Sequence, residues 1–220
     1  ANARPIVDVA IGLVLYELGH RLDLSWFRHN AWLLVMAVAE SLLTFGAIFA
    51  AMYYFDYSPL VCALAAAMGV ATSPAIVLLV SHELRTEGQL TERLMSLTAI
   101  NTAVAAILII VLLPWLHMEH SATAMSTLLH PVYVLVGSLL LGFAIHRGVV
   151  ELARWLGKRE DRQYILLIGA IVLAVGLARA LQLSVVLALL AMGVLARNQD
   201  AKRALLALQF GYGGQLFLVV

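Results

Sequence analysis

Charge is scarce in this sequence. Asp, Glu, Lys and Arg make up 12% of its 220 residues, where a water-soluble domain carries about 25%. Hydrophobic residues make up 63%, more than a globule of this length can hide from water, so the bilayer is its natural solvent. An excess of either sign is lacking too. The formal net charge is +1, which implies neither nucleic acid nor any strongly charged partner. The single cysteine, Cys62, excludes an internal disulfide framework and reads as a small buried hydrophobe. The start, "ANARPIVDVA", lacks a charged region followed by a cleavage site, so no signal peptide is evident. No nucleophile–base pair, phosphate-binding loop or metal cluster stands at catalytic spacing, which argues against an enzyme. His117, Glu119 and His120 in "HMEHSATAMST" come nearest to a metal set, but no further ligand lies close in sequence. No cofactor is expected.

What the sequence does have is long apolar runs. Segments at 5–20, 31–55, 59–81, 92–116, 128–147, 163–181, 184–197 and 204–220 are mostly near the ~20 residues that cross a bilayer as helix. The fold class is therefore all-α and polytopic, with about eight transmembrane helices in one domain over 1–220. The last segment, "GYGGQLFLVV", stops inside an apolar run, so the chain reads as part of something longer. Loop charge gives orientation. The connections at 20–30, 82–93, 147–162 and 197–203 hold 12 of the 14 basic residues, while those at 56–58, 117–127 and 182–183 hold none. By the positive-inside rule the basic set is cytoplasmic and the protein is a multi-pass protein of the cell membrane. The tight 182–183 connection is needed for this alternation, since fusing its flanking segments would put basic loops on both sides.

Polar residues within such spans are expensive, and each needs a partner or a purpose. Glu17 stands four before Arg21, the spacing of a helical ion pair. Asp8 and Arg179 lie near outer ends, from which they can snorkel. Glu40 differs. It lies ten residues into "AWLLVMAVAESLLTFGAIF", roughly 15 Å along the helix, and its neighbours at three and four residues are Met36, Ala37, Leu43 and Thr44. It must meet another helix, face water or carry a proton; a structural carboxyl and a functional one both fit. Asn101 and Thr102 lie at a similar depth in "TERLMSLTAINTAVAAIL", with Thr98 on the face of Asn101. Hydrogen bonding between helices as packing glue would account for them alone. In "AAMGVATSPAIVLLV", Pro74 removes a backbone N–H, clashes with the carbonyl of Val70 and pushes Ser73 out of helical geometry. Ala65, Gly69 and Ser73 form a small-residue stripe that lets another backbone come very close. A broken helix, an amide–hydroxyl pair and a lone carboxyl at one depth on consecutive spans is the pattern of a secondary transporter.

Four stretches carry a resemblance, spread in consistent order over nearly the whole chain: "LYELGHRLDLSWFRHN", "MGVATSPAIVLLV", "LTERLMSLTAINTAVAAIL" and "LARALQLSVVLALLAMGVLARN". Together they resemble the monovalent cation:proton antiporters, the sodium/proton exchanger-like proteins. The first is similar to the family's Gly followed by Leu-Asp at a helix end. The second resembles its unwound segment, the third its Asn-Asp or Asp-Asp helix, and the fourth its later hairpin. The resemblance implies an inverted-repeat fold with two crossed broken helices, alternating access and a homodimer. It places the first helices before Ala1 and the second broken helix after Val220. The family's ion- and proton-binding aspartate falls at Thr102, and Ser73 stands where Asp is frequent.

Two functional readings follow. In the first, Na+ or K+ is exchanged for protons. Thr72, Ser73, Asn101 and Thr102 supply oxygen ligands suited to a hard cation, Pro74 breaks the helix, and Glu40 carries the proton. In the second, a non-transporting sensor or assembly subunit keeps the fold and has lost the ion-binding aspartate.

Overall fold

A computed structural model describes residues 4–25, 31–85, 88–118, 124–156 and 160–199. The helices are α1 (Arg4–His20), α2 (Ala31–Tyr54), α3 (Pro59–Val70), α4 (Pro74–Glu83), α5 (Gln89–Met118), α6 (Ala124–Leu156), α7 (Glu160–Ala180) and α8 (Val185–Gln199). No strand occurs among the described residues. The segments 32–54, 59–81, 89–115 and 129–155 are long and apolar enough to cross a membrane. Many large apolar side chains face outward, among them Trp32, Leu42, Leu43 and Tyr54 on α2. That distribution suits a helix bathed in lipid.

Most expected spans coincide with helices, and the differences have physical causes. The span at 59–81 is two helices, because Val70 is the last helical residue before Pro74 opens α4. α6 does not stop at 147. It continues to Leu156 and α7 begins at Glu160, so most of the expected 147–162 loop is helical. The segment "GVVELARWL" is rich in good helix formers, and Arg154 bonds Glu151 at 2.9 Å, one turn away. Hydropathy marks where the membrane ends, not where the helix ends. The expected span at 204–220 lies outside the described residues, as do Glu119 and His120.

The tight connection at 182–183 is a turn with defined chemistry. Gln182 takes a left-handed φ of 54°, and the Leu183 N–H donates to the Ala178 carbonyl at 2.7 Å, closing the end of α7. The Ser184 hydroxyl accepts the Leu187 N–H at 3.3 Å and caps α8. Ser138 of α6 accepts the Ser184 N–H at 2.9 Å, and Tyr133 donates to the Leu181 carbonyl at 3.0 Å.

The main core joins α1, α6, α7 and α8. Its tightest crossing is between α1 and α8. A methyl added at Gly193 would meet the Tyr16 carbonyl, with the His20 amide nitrogen 2.8 Å away. At Gly19 it would meet the Leu190 carbonyl. Two helices with glycine at the contact approach backbone to backbone. Asn198 locks the same junction: its Nδ2 donates to the Leu22 and Val194 carbonyls, and its Oδ1 accepts the Leu24 N–H at 2.8 Å. Glu17 accepts from Arg21 at 3.3 Å, the pair the spacing predicts. Asp8 and Arg179, placed by the sequence near outer ends from which they can snorkel, meet at 2.6 Å and tie α1 to α7.

α2 and α3 form a second pair, with Ile48 of α2 seated on Gly69 of α3. The small-residue stripe predicts a backbone approach; at Gly69 the room is taken by the Ile48 side chain instead. α5 bridges the two groups, touching α2, α3 and α4 on one side and α1, α6 and α8 on the other. Gly193→Ala forces two backbones apart, so it should lower thermal stability in detergent by about 1–3 kcal/mol. Gly176→Ala, with open space around the new methyl, should leave stability unchanged or raise it, which a melting comparison of the two variants checks.

Candidate functional site

The site forms where α5 passes the gap between α3 and α4. Three residues, 71–73, are out of helix there. Ala71 is extended (φ −65°, ψ 122°), and its N–H turns back to the Met68 carbonyl at 3.2 Å. Pro74 has no N–H to give. The Ser73 carbonyl accepts the Val77 N–H at 3.3 Å as α4 begins. The Thr72 carbonyl has no place in either helix. It is met from α5 by the Thr102 hydroxyl at 3.3 Å. The same hydroxyl lies 2.7 Å from the Thr98 carbonyl one turn back, so its proton is shared. Thr98 bonds the Leu94 carbonyl at 2.9 Å and stays within its own helix.

Asn101 is the hub. It is 4% exposed. Its Nδ2 donates to Glu40 Oε1 at 3.3 Å and to Thr72 Oγ1 at 3.4 Å. Its Oδ1 accepts from Ser41 Oγ at 3.0 Å. Glu40, Thr72, Asn101 and Thr102, singled out on three separate spans, are therefore in one network. Ser73 lies in the same break, but its side chain is exposed and makes no hydrogen bond among the described residues. The amide expected to offer an oxygen to a cation presents its NH2 group to Glu40 and Thr72 instead.

Ser41 is the residue that sequence reading missed. It is 2% exposed, whereas Glu40 beside it is exposed. Leu33, Ala37 and Ser41 are all buried on α2 at intervals of four, the mark of one face packed against a neighbour. That interval was visible in the sequence; the depth and charge of Glu40 drew attention from it. The site can therefore offer the Glu40 carboxylate, the Thr72 carbonyl and hydroxyl, and the Thr102 hydroxyl. All are oxygen donors, the type preferred by hard cations.

The family description "Sodium/hydrogen exchanger, transmembrane" matches residues 6–220. The chain belongs to the sodium/hydrogen exchanger family. At the level of the family its activity is exchange of a cation for protons, which is transport and not an enzyme reaction. The match lends nothing to the reading as a non-transporting sensor. A comparison with curated proteins finds no match.

A polar cavity of about 360 Å3 lies where α1 and α8 end and α5 begins. Arg21, Arg93 and Arg197 line it together with Asp23 and Glu92, so its charges nearly balance. None of Glu40, Ser41, Thr72, Asn101 and Thr102 lines it.

The Thr102 hydroxyl is the group that meets the freed carbonyl. Thr102→Val keeps the shape and removes the donor, so it should destabilise the protein by about 1–3 kcal/mol. Thr102→Ser should melt close to the unaltered protein in the same detergent.

Proposed function

We propose that this exchanger moves Na+ or K+ against protons at the Asn101 network by alternating access. The observation that carries the reading is the Asn101 amide, which joins the mid-span carboxylate of Glu40 to the backbone break at Thr72. Such a carboxylate needs neutralising within the membrane, and either a proton or a monovalent cation does so. Occupancy by one excludes the other, which couples the two fluxes. Thr72, Ser73 and Thr102 complete the cation's oxygen shell, and Asn101 holds the carboxylate beside it. The C-terminal end of α3 points its dipole's negative end at the break, which favours positive charge there.

The family's aspartate is replaced here by Thr102. In this reading Glu40 takes over the titrating role, and Thr102 keeps an oxygen at the old position while satisfying Thr72. The basic loops face the cytoplasm, and the exchanger works as a homodimer in the cell membrane.

In proteoliposomes holding the complete exchanger, an imposed pH gradient should drive Na+ or K+ uptake. Glu40→Gln should reduce that uptake by at least tenfold; uptake that survives the substitution would sink the assignment. Thr102→Asp puts a second carboxylate at the break and should raise cation affinity, read as a lower cation concentration at half-maximal flux.

A further inference from the structure

Serine and threonine within a helix ordinarily give their proton to the carbonyl four residues back. Thr98 does so to Leu94, and Ser138 does so to Val134. Ser41 does not. Among the described residues its hydroxyl makes one hydrogen bond, across to Asn101 Oδ1 on α5, although it is almost wholly enclosed. This bond has a chemical consequence, because the two ends of an amide differ: one only accepts, the other only donates. A hydroxyl can donate or accept, so the acceptor-only carboxylate of Glu40 decides which end faces it, and Ser41 then supplies the donor that the buried Oδ1 needs. Nδ2 must then face Glu40 and Thr72, where both neighbours can accept. The opposite orientation would set a carbonyl oxygen against a carboxylate, acceptor to acceptor.

We infer that Ser41 is the positioning residue of the cation site: through Asn101 it steadies the donor that faces Glu40 and holds the carboxylate over the helix break. This rests on the reading of Glu40 as the exchanging carboxylate. The Asn101 N–H occupies one lone pair of Oε1. The rest of that oxygen and all of Oε2 remain open to a cation, so the hydrogen bond and the ion are compatible. Without Ser41 the buried Oδ1 loses this donor, so the amide is held less firmly, and so is the carboxylate it bonds. A cation must then fix a wandering ligand, which weakens binding without changing the bound state that crosses the membrane.

The complete exchanger in proteoliposomes tests this with initial rates of Na+ and K+ uptake at fixed pH. Ser41→Ala should raise the apparent KM for the cation about fivefold, the equivalent of one hydrogen bond worth about 1 kcal/mol, with maximal rate within about twofold. Ser41→Thr, which keeps the hydroxyl, should restore the KM. If the larger side chain prevents folding, Ser41→Cys, with a weak donor of similar size, should fall between the two. The rise in melting temperature on adding cation gives a second readout that needs no transport. In an Asn101→Ala background, Ser41→Ala should add nothing to the loss of that rise. The inference is overturned if Ser41→Ala leaves KM unchanged, or if Ser41→Thr is as impaired as Ser41→Ala. An equal effect with and without Asn101 also overturns it. Loss of uptake in Glu40→Gln with a silent Ser41→Ala removes only the role of Ser41. Normal uptake in Glu40→Gln removes the site reading itself.

Discussion

A helix interrupted inside a bilayer leaves backbone groups that lipid cannot satisfy. Here that constraint falls on the Thr72 carbonyl, and the way it is met organises one side of the molecule. The Thr102 hydroxyl reaches it from α5, and the Asn101 amide reaches the Thr72 side chain from the same turn. Two adjacent residues of α5 thus serve one residue of the break. This requires α5 to pass close by. α3 supplies Gly69, on which α2 rests through Ile48. Once α2 is seated there, Glu40 and Ser41 fall within reach of Asn101. The polar network and the helix packing therefore depend on each other.

The opposite side of the bundle is built on a different principle. α1, α6, α7 and α8 meet through apolar side chains and glycine crossings, with polar locks at the ends: Asn198 at one, the Asp8–Arg179 pair at another. Gly19 against Gly193 fixes α1 on α8 too closely for side chains to adjust. α5 joins this group to the α2–α3 pair. It has a packed flank and a polar flank, which suits a helix that must hold a site steady while lying between two sets of neighbours.

Much of this was legible in the sequence because the bilayer restricts what a chain can do. Span lengths follow from membrane thickness, the break from Ser73-Pro74, and the hairpin before α8 from the need for basic loops to alternate. The depth of Glu40 and of Asn101-Thr102 follows from residue counting, since each residue of helix advances about 1.5 Å. The rest depended on rotation and on partners, which counting along one helix does not supply. Which face of α2 turns inward decided that Ser41, not only its charged neighbour, would meet Asn101. Asp8 and Arg179 lie 171 positions apart, so only the fold reveals them as a pair. The far end of α6 was missed because apolarity stops at the membrane surface while helix propensity does not.

Thr102 illustrates how the two demands on this position trade against each other. An aspartate there would have no proton to give when charged, and could not donate to the Thr72 carbonyl. A threonine does donate, and it adds no charge to the middle of the membrane. The cost is the loss of a titrating group at that position. The compensation proposed for Glu40 fits its place: it lies one helix away, joined to the neighbouring Asn101 by a hydrogen bond of 3.3 Å. A carboxylate on α2 is also less tightly enclosed than one on α5 would be, since Glu40 is exposed where Asn101 and Thr102 are buried. The proton-carrying role proposed for Glu40 gains from that exposure, provided something holds the carboxylate in place. The amide of Asn101, steadied from behind by Ser41, is placed to do the holding.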